Sequence, residues 1–217
     1  MEFLPQNIEA YAAAHSTDEP AVLKRLNRET HAKVLKPRML SGHMQGSLLT
    51  FISRMLQPVR VLEIGTYTGY SAICLAQGLK PGGLLHTIDH NPELEDFTSQ
   101  HIREAGLEHA IVRHIGEALD VIPGLDEDFD LVFIDADKEN YCRYFDLVLP
   151  KIPKGGFIIA DNALWSGKVL LPPEEMDEET KGIAEFNQYV HQHPHVRNML
   201  LPFRDGLMFM EKISEGM

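Results

Sequence analysis

Two short apolar runs in this chain each end in oxygen-bearing side chains. Residues 129–134 lead into Asp135, Ala136, Asp137 and Lys138, and residues 155–160 lead into Asp161 and Asn162. Both runs read as buried strands, and in open α/β sheets ligands bind outside the carboxyl ends of the strands. Two carboxylates and an amide oxygen delivered there, with a lysine close by, have the composition of a divalent-metal site with a base beside it. Oxygen ligands of this kind suit Mg²⁺ above all, or Mn²⁺ or Ca²⁺, rather than a soft metal. The first run alone reads equally well as a capped acidic turn. Asp161 and Asn162 at the next strand end tip the reading toward a metal site and an enzyme, while Asp137 reads as a supporting residue or a helix cap.

A second group of residues points to a nucleoside. Residues 61–64 end in Gly65, and Gly65 to Gly69 forms a Gly-x-x-x-Gly turn that opens a helix. Gly65 permits a sharp turn and close ligand approach, and a helix start offers unpaired N–H groups to an anion. A dinucleotide fingerprint needs glycine where Tyr67 stands, so that the backbone can touch a pyrophosphate. Asp89 ends the following strand, where a carboxylate accepts from a ribose diol. A ribose reader without a pyrophosphate cradle points to S-adenosylmethionine rather than NAD. Taken singly, the glycines serve any strand–helix turn, and Asp89 serves equally as a helix cap before Asn91 and Pro92.

The elements that must position these groups follow from periodicity. Residues 2–58 carry no strand signal and predict three helices: one around 8–14, one over 21–35 stopped by Pro37, and one over 46–56. The second places Leu23, Leu26, Thr30 and Val34 near one face; the third places Leu48, Leu49, Ile52, Met55 and Leu56 at helical spacing. From residue 59 the rhythm changes. Residues 59–64, 84–88, 111–115, 131–134 and 157–160 read as strands, with helices near 70–79, 91–105, 117–122 and 140–149 between them. Alternation of this kind implies right-handed crossovers and a mainly parallel sheet covered on both faces. Residues 196–203 and 207–213, joined by Arg204, Asp205 and Gly206, predict a closing antiparallel hairpin. The expected organisation is one domain over 1–217, with a helical segment 1–58 and an α/β core 59–217.

Charge and composition remove several classes. A net charge of −12 with Lys and Arg scattered argues against a nucleic-acid face, which needs clustered cations. No apolar run approaches the ~20 residues of a membrane span, and Met1 to Pro5 lacks a basic region followed by an apolar core, so no signal peptide is expected. Cys74 and Cys142 read as buried reduced thiols, in keeping with a cytoplasmic protein. His191, His193 and His195 lie close together, but Pro194 interrupts them and no cysteine accompanies them, so a solvated loop is expected rather than zinc. Met208 and Met210 alternate along the last strand as core residues. The acidic run from Glu174 to Glu179 reads as a solvated loop leading into a helix.

Taken in order, the run from Met39 to Gly46, the stretch Glu63 to Ser71, Asp135 to Lys138 with Asn140 and Tyr141, and Asp161 to Trp165 resemble the cation-dependent class I O-methyltransferases. That group comprises the caffeoyl-CoA and catechol O-methyltransferases and their bacterial relatives, and the resemblance spans residue 38 to the carboxyl end. It implies a Rossmann-like fold with a seven-stranded, mainly parallel sheet, and a homodimer. By the resemblance, Asp135, Asp161 and Asn162 match the metal ligands and Lys138 the general base. Ser41, Glu63, Gly65, Tyr67, Ser71 and Asp89 match S-adenosylmethionine contacts, with Asp89 on the ribose, Ser71 at the methionine end, and Ser41 and Tyr67 flanking the methionyl portion. Glu117 and Ala118 match the turn bordering the adenine, and Asp135 counts among the cofactor contacts as well. The implied reaction is methyl transfer to a phenolic hydroxyl of a small catechol-type molecule.

The residue chemistry agrees with that reaction. A free phenol has a pKa of roughly 10 and is a poor nucleophile at neutral pH; a divalent cation favours its phenolate, and Lys138 is placed to take the proton. Two departures bear on the acceptor. Glu174, Glu175, Asp177, Glu178 and Glu179 stand where plant enzymes acting on CoA esters carry basic and aromatic residues, and Asp137 stands where the catechol enzyme carries an aromatic one. An NAD(P)-dependent oxidoreductase is the competing enzyme reading, opposed by Tyr67 and the missing glycine. A cofactor-binding protein with a decayed site is opposed by retention of Lys138 with all three metal ligands.

Overall fold

A computed structural model describes residues 5–214; Met1 to Leu4, most of the stretch read against a signal peptide, lie outside the described residues. Three helices come first, α1 (Gln6–Ala14), α2 (Ala21–Lys33) and α3 (Gly42–Leu56). The chain then alternates through β1 (Arg60–Ile64), α4 (Tyr70–Ala76), β2 (Leu84–Asp89), α5 (Glu95–Glu104), β3 (Ile111–Ile115) and α6 (Ala118–Val121). It continues with β4 (Leu131–Ile134), α7 (Tyr141–Val148), β5 (Phe157–Ala160), α8 (Glu178–Gln192), β6 (Val196–Leu201) and β7 (Leu207–Lys212).

The strands form one seven-stranded sheet in the order β3-β2-β1-β4-β5-β7-β6, with helices on both sides. β2 pairs with β3 and β4 with β5 in parallel, whereas β7 runs antiparallel to both β5 and β6. This is the expected Rossmann-like sheet with its closing hairpin. The physical reason is visible strand by strand. All four residues of β4, Leu131, Val132, Phe133 and Ile134, are fully buried, as a central parallel strand covered on both faces must be. Each contributes on the order of 1.5–3 kcal/mol by leaving water. β3 and β6, at the two edges, instead carry Arg113 and His114 or Arg197 and Asn198, charged and polar residues that discourage pairing with another chain.

Contacts divide the chain into two compact units: Leu62–Ile64 with the chain from Ala118 onward, and the remainder up to Val61 with Gly65–Glu117. In the first, Tyr141, Phe145 and Phe186 pack edge to face, with ring centroids 5.3 Å (Tyr141–Phe186) and 6.4 Å (Phe145–Phe186) apart. In the second, α3 lies against α4. Ser53 Oγ donates to the Leu75 carbonyl at 2.5 Å and Thr50 Oγ1 to that of Cys74 at 3.2 Å.

Several expectations need correction. α3 starts at Gly42, not near 46, and of its five apolar residues at helical spacing only Leu49 and Ile52 are buried, while Met55 is 74% exposed. Its packed face is completed by Gln45, Gly46 and Ser53, small or polar residues that an apolar count overlooks. His193 is not in a solvated loop: its ring meets Phe145 and Tyr189 edge to face at 5.2 and 5.8 Å. Cys142 is half-buried rather than buried, and neither cysteine is in a disulfide. Burial, followed by Glu185 and Asp146, pushes the Cys142 thiol up to about 11. Met208 and Met210 are buried as expected. Among the described residues no helix is long and apolar enough to cross a membrane.

Candidate active site

The first unit carries the residues expected to hold a metal and to act as base, Asp135, Lys138, Asp161 and Asn162. β4 ends at Ile134, and the Asp135 N–H continues its ladder by donating to the Ile64 carbonyl at 2.8 Å. A 3₁₀ turn, Lys138–Asn140, then runs into α7. Residues three apart share a side in such a turn, so Lys138 and Tyr141 meet: Nζ donates to the Tyr141 hydroxyl at 2.7 Å and to Asp135 Oδ1 at 3.0 Å. The Tyr141 hydroxyl donates in turn to the Asp161 backbone carbonyl at 3.1 Å. Tyr141 is fully buried and Lys138 only 6% exposed.

Burial opposes the Lys138 ammonium, but the Tyr141 oxygen, Asp135 and Asp161 more than offset it and hold its pKa above the ordinary lysine value. Burial also raises the Tyr141 phenol. The pair is thus ammonium and neutral phenol at neutral pH. The Trp165 ring lies 5.6 Å from Lys138 Nζ, within cation–π range. Asp137 points elsewhere, accepting from the Tyr144 hydroxyl and the Asn140 amide and so fastening the start of α7.

Asp161, 5% exposed, follows β5. Its Oδ1 accepts the Asn162 N–H at 2.7 Å. Asn162 has φ 60°, a left-handed conformation that asparagine tolerates better than most residues; Trp165 and Ser166 share it at 45° and 53°. The β6–β7 hairpin tip clamps this loop. Ala163 N–H donates to the Gly206 carbonyl at 3.0 Å and Leu164 N–H to that of Asp205 at 2.8 Å. Gly206 has φ 88°, and a Cβ there would sit 2.8 Å from Leu164 N.

Asp135, Lys138, Asp161 and Asn162 are therefore brought together by consecutive hydrogen bonds. Among the described residues no three His, Cys, Asp or Glu side chains gather into a metal-holding group, so a cation here needs the Asn162 oxygen beside the two carboxylates. That all-oxygen set fits a hard divalent ion.

The second unit carries most of the residues expected to contact the cofactor, with Glu63, Ala118 and Asp135 in the first, and backbone does most of the shaping. Gly65 N–H donates to the Ile88 carbonyl at 2.9 Å, and Gly69 N–H to that of Thr66 at 2.8 Å. Gly69 has φ 85°, a region in which other residues are strained. Asp89 Oδ2 accepts the Tyr67 N–H at 2.7 Å, and its Oδ1 that of Asn91 at 2.9 Å. The carboxylate thus holds the glycine turn closed; with four acceptor sites it keeps capacity for a diol. The cap of the following 3₁₀ turn is Asn91, which accepts from Glu93 N–H at 3.0 Å.

The Tyr67 hydroxyl donates to the Leu35 carbonyl at 2.9 Å, and burial raises its pKa. Thr66, Tyr67, Asp89, Asn91 and His114 line one shallow cleft. Ser71 is buried in the first turn of α4, and Ser41 is buried just before α3. Glu63, fully buried on β1, belongs to the first unit. After β3, Glu117 is exposed and Ala118 buried.

Two residues carry more than the sequence reading assigned them. Tyr141 bridges Lys138 and Asp161, and Asp205 binds the loop after β5. Tyr141 stood three residues after Lys138, a usable signal; Asp205 offered only a turn.

Comparison with known proteins bears on this arrangement. Residues 13–213 match the family described as O-methyltransferase. Caffeoyl-CoA O-methyltransferase 5 of Nicotiana tabacum is 31% identical over 207 residues, covering 90% of this chain and 86% of the tobacco enzyme. An O-methyltransferase of Streptomyces achromogenes involved in tomaymycin synthesis, solved with SAM, is 28% identical and superposes with a TM-score of 0.89 over 96% of each chain. An O-methyltransferase of Bacillus cereus, solved with SAH, is 28% identical with a TM-score of 0.88 over 95% of this chain and 97% of its own. On the family match over most of its length and the identity to the tobacco enzyme, this chain belongs to the O-methyltransferase family and is an enzyme of that class.

Proposed function

We propose that this enzyme transfers the methyl group of S-adenosylmethionine to a phenolic hydroxyl of a small vicinal diol, with a divalent cation, Mg²⁺ foremost, held by Asp135, Asp161 and Asn162. The observation that carries this reading is Lys138, buried and bonded to Asp135 and Tyr141 beside two strand ends that supply only oxygen ligands. When bound, such a cation supplies Lewis acidity that favours the phenolate of the acceptor.

The chain's own residues account for the proton. Lys138 is held as the ammonium against burial by the Tyr141 oxygen and by Asp135 and Asp161, the two carboxylates that would hold the cation. A cation held by those carboxylates would weaken their hold on the ammonium, and Nζ, as the neutral amine, would then be the group placed to accept the phenol proton. Tyr141 keeps Nζ aimed while its own hydrogen stays on the Asp161 carbonyl. The phenolate oxygen then bonds to the sulfonium methyl carbon as the S–CH₃ bond breaks, leaving S-adenosylhomocysteine. Ser41, Glu63, Gly65, Tyr67, Ser71, Asp89, Glu117, Ala118 and Asp135 are the proposed cofactor contacts.

The acidic segment argues for an acceptor without a nucleotide. Asp177 caps α8 and pairs with Lys168 at 2.8 Å, and Glu178 pairs with Lys181 at 2.9 Å. Glu174, Glu175 and Glu179 are exposed and would repel the phosphates of a CoA ester. We take the enzyme to be a cytoplasmic homodimer acting as a single domain, which sedimentation and limited proteolysis would check.

The direct test is labelled methyl transfer to catechol, caffeate and caffeoyl-CoA, with Mg²⁺ and then with EDTA. The expected result is turnover that EDTA abolishes and Mg²⁺ restores, faster on the free diols than on the thioester. Turnover indifferent to EDTA would overturn the metal-dependent reading.

A further inference from the structure

Of the contacts that the hairpin tip makes with the loop after β5, one decides more than the backbone bonds do. The Asp205 carboxylate accepts the Ser166 N–H on Oδ1 and Asn162 Nδ2 on Oδ2, the latter at 3.2 Å. The two ends of an asparagine amide are nearly the same shape, so its flip is set by hydrogen-bond partners. An ionised carboxylate only accepts. Asn162 must therefore turn its nitrogen toward Asp205, which leaves its oxygen on the other edge of the amide. Were the amide reversed, two oxygens would face each other across the Asp205 contact.

We infer that Asp205 is a positioning residue, which fixes the Asn162 amide so that Oδ1, and not the NH₂ group, is offered to a divalent cation. This rests on the metal-dependent reading proposed above. Asp205 reaches the loop only because the hairpin folds back on it. The same tip also sets the loop's backbone, through Gly206 and Leu164. Orientation of the ligand and shape of the loop thus come from one turn, and an exchange of residues separates them.

The experiment is Mn²⁺ alone titrated into the full chain, read from the electron-spin resonance signal of the free ion. The proteins are the wild type, Asp205→Asn, the exchange variant Asn162→Asp with Asp205→Asn, and Asp161→Ala. In Asp205→Asn the new amide keeps an oxygen for Ser166 N–H and presents nitrogen to Asn162, which must flip. Hydrogen-bond partners of metal ligands typically govern affinity by 10–100-fold, and a loss of about that size is expected. In the exchange variant the carboxylate at position 162 accepts from the amide at 205 and still offers oxygen to the ion, so affinity should return to within roughly threefold of wild type.

Undiminished Mn²⁺ affinity in Asp205→Asn would overturn the inference. So would an equal loss in the single and exchange variants, since Asp205 would then act only on the fold. A wild type that binds Mn²⁺ no better than Asp161→Ala would overturn the metal reading itself, an outcome distinct from the other two.

Discussion

The two compact units present two ways of building a site. Around Lys138, charged and polar side chains bond directly to one another, and removing one member leaves another buried without its partner. Around Gly65 and Gly69, the main chain makes the shape, and side chains such as Asp89 and Thr98 serve chiefly to hold it. The first site is sensitive to residue identity and charge, the second to backbone geometry. This matches the chemistry each is proposed to do, since a base must gain and lose a proton, whereas a nucleoside must only be bound and oriented.

Substitutions can break that contrast. The largest expected effect is at Lys138. Lys138→Met should lower kcat by about 10²–10⁴-fold, the usual contribution of a positioned general base, with S-adenosylmethionine affinity by calorimetry nearly unchanged. Loss of both together would erase the distinction between the two sites.

Next comes a purely steric change in the other unit. A Cβ at Gly78 would lie 2.2 Å from the Ser53 carbonyl carbon and 2.4 Å from Arg54 N. Gly78→Ala should therefore cost about 1–3 kcal/mol in urea unfolding, by forcing α3 and α4 apart. An unchanged midpoint would show that this unit yields where backbone control predicts it cannot.

A comparable effect is expected from Tyr141→Phe, which removes the hydroxyl between Lys138 and the Asp161 carbonyl. Leaving a buried donor short of a partner costs roughly 1–3 kcal/mol. The same variant should lower kcat more than it raises the KM for S-adenosylmethionine, because it frees Nζ without touching the glycine turn. An equal change in both constants would count against Tyr141 as the group that aims Lys138.

The gentlest probe is pH. The folded-state values of Lys138 and Tyr141 both lie above their ordinary 10.5 and 10.0. Their contribution to stability is then fully present below about pH 10 and is lost as pH rises through the raised values. Without added metal, thermal stability should fall in that alkaline range, and Lys138→Met should flatten the fall. A wild-type curve that weakens already between pH 7 and 8, below the range in which the raised Cys142 thiol also begins to act, would contradict the assignment.

Much of this was readable before any coordinates. β4 and β5 fall on the residues expected, because a central strand covered on both faces is an unbroken apolar run, and β3, an edge strand carrying Arg113 and His114, also falls on 111–115 as expected. The expected metal and base residues do fall at the ends of β4 and β5. Less legible was α3, whose packed face uses Gln45, Gly46 and Ser53, so that an apolar count assigned Met55 to the wrong side. His193 escaped for a related reason: its ring is packed by Phe145, distant in sequence, and by Tyr189, a neighbour on α8.

The sequence by itself determined the order of strands and helices, the oxygen-only character of the proposed ligand set and the presence of a lysine next to it, since these depend on residue type and short-range periodicity. Only the tertiary structure decided that Tyr141 bridges Lys138 to Asp161 and that Asp205 faces Asn162. The Asp205 contact spans 43 residues, and its existence depends on how β7 docks against β5 in antiparallel register, which no local pattern of residues encodes.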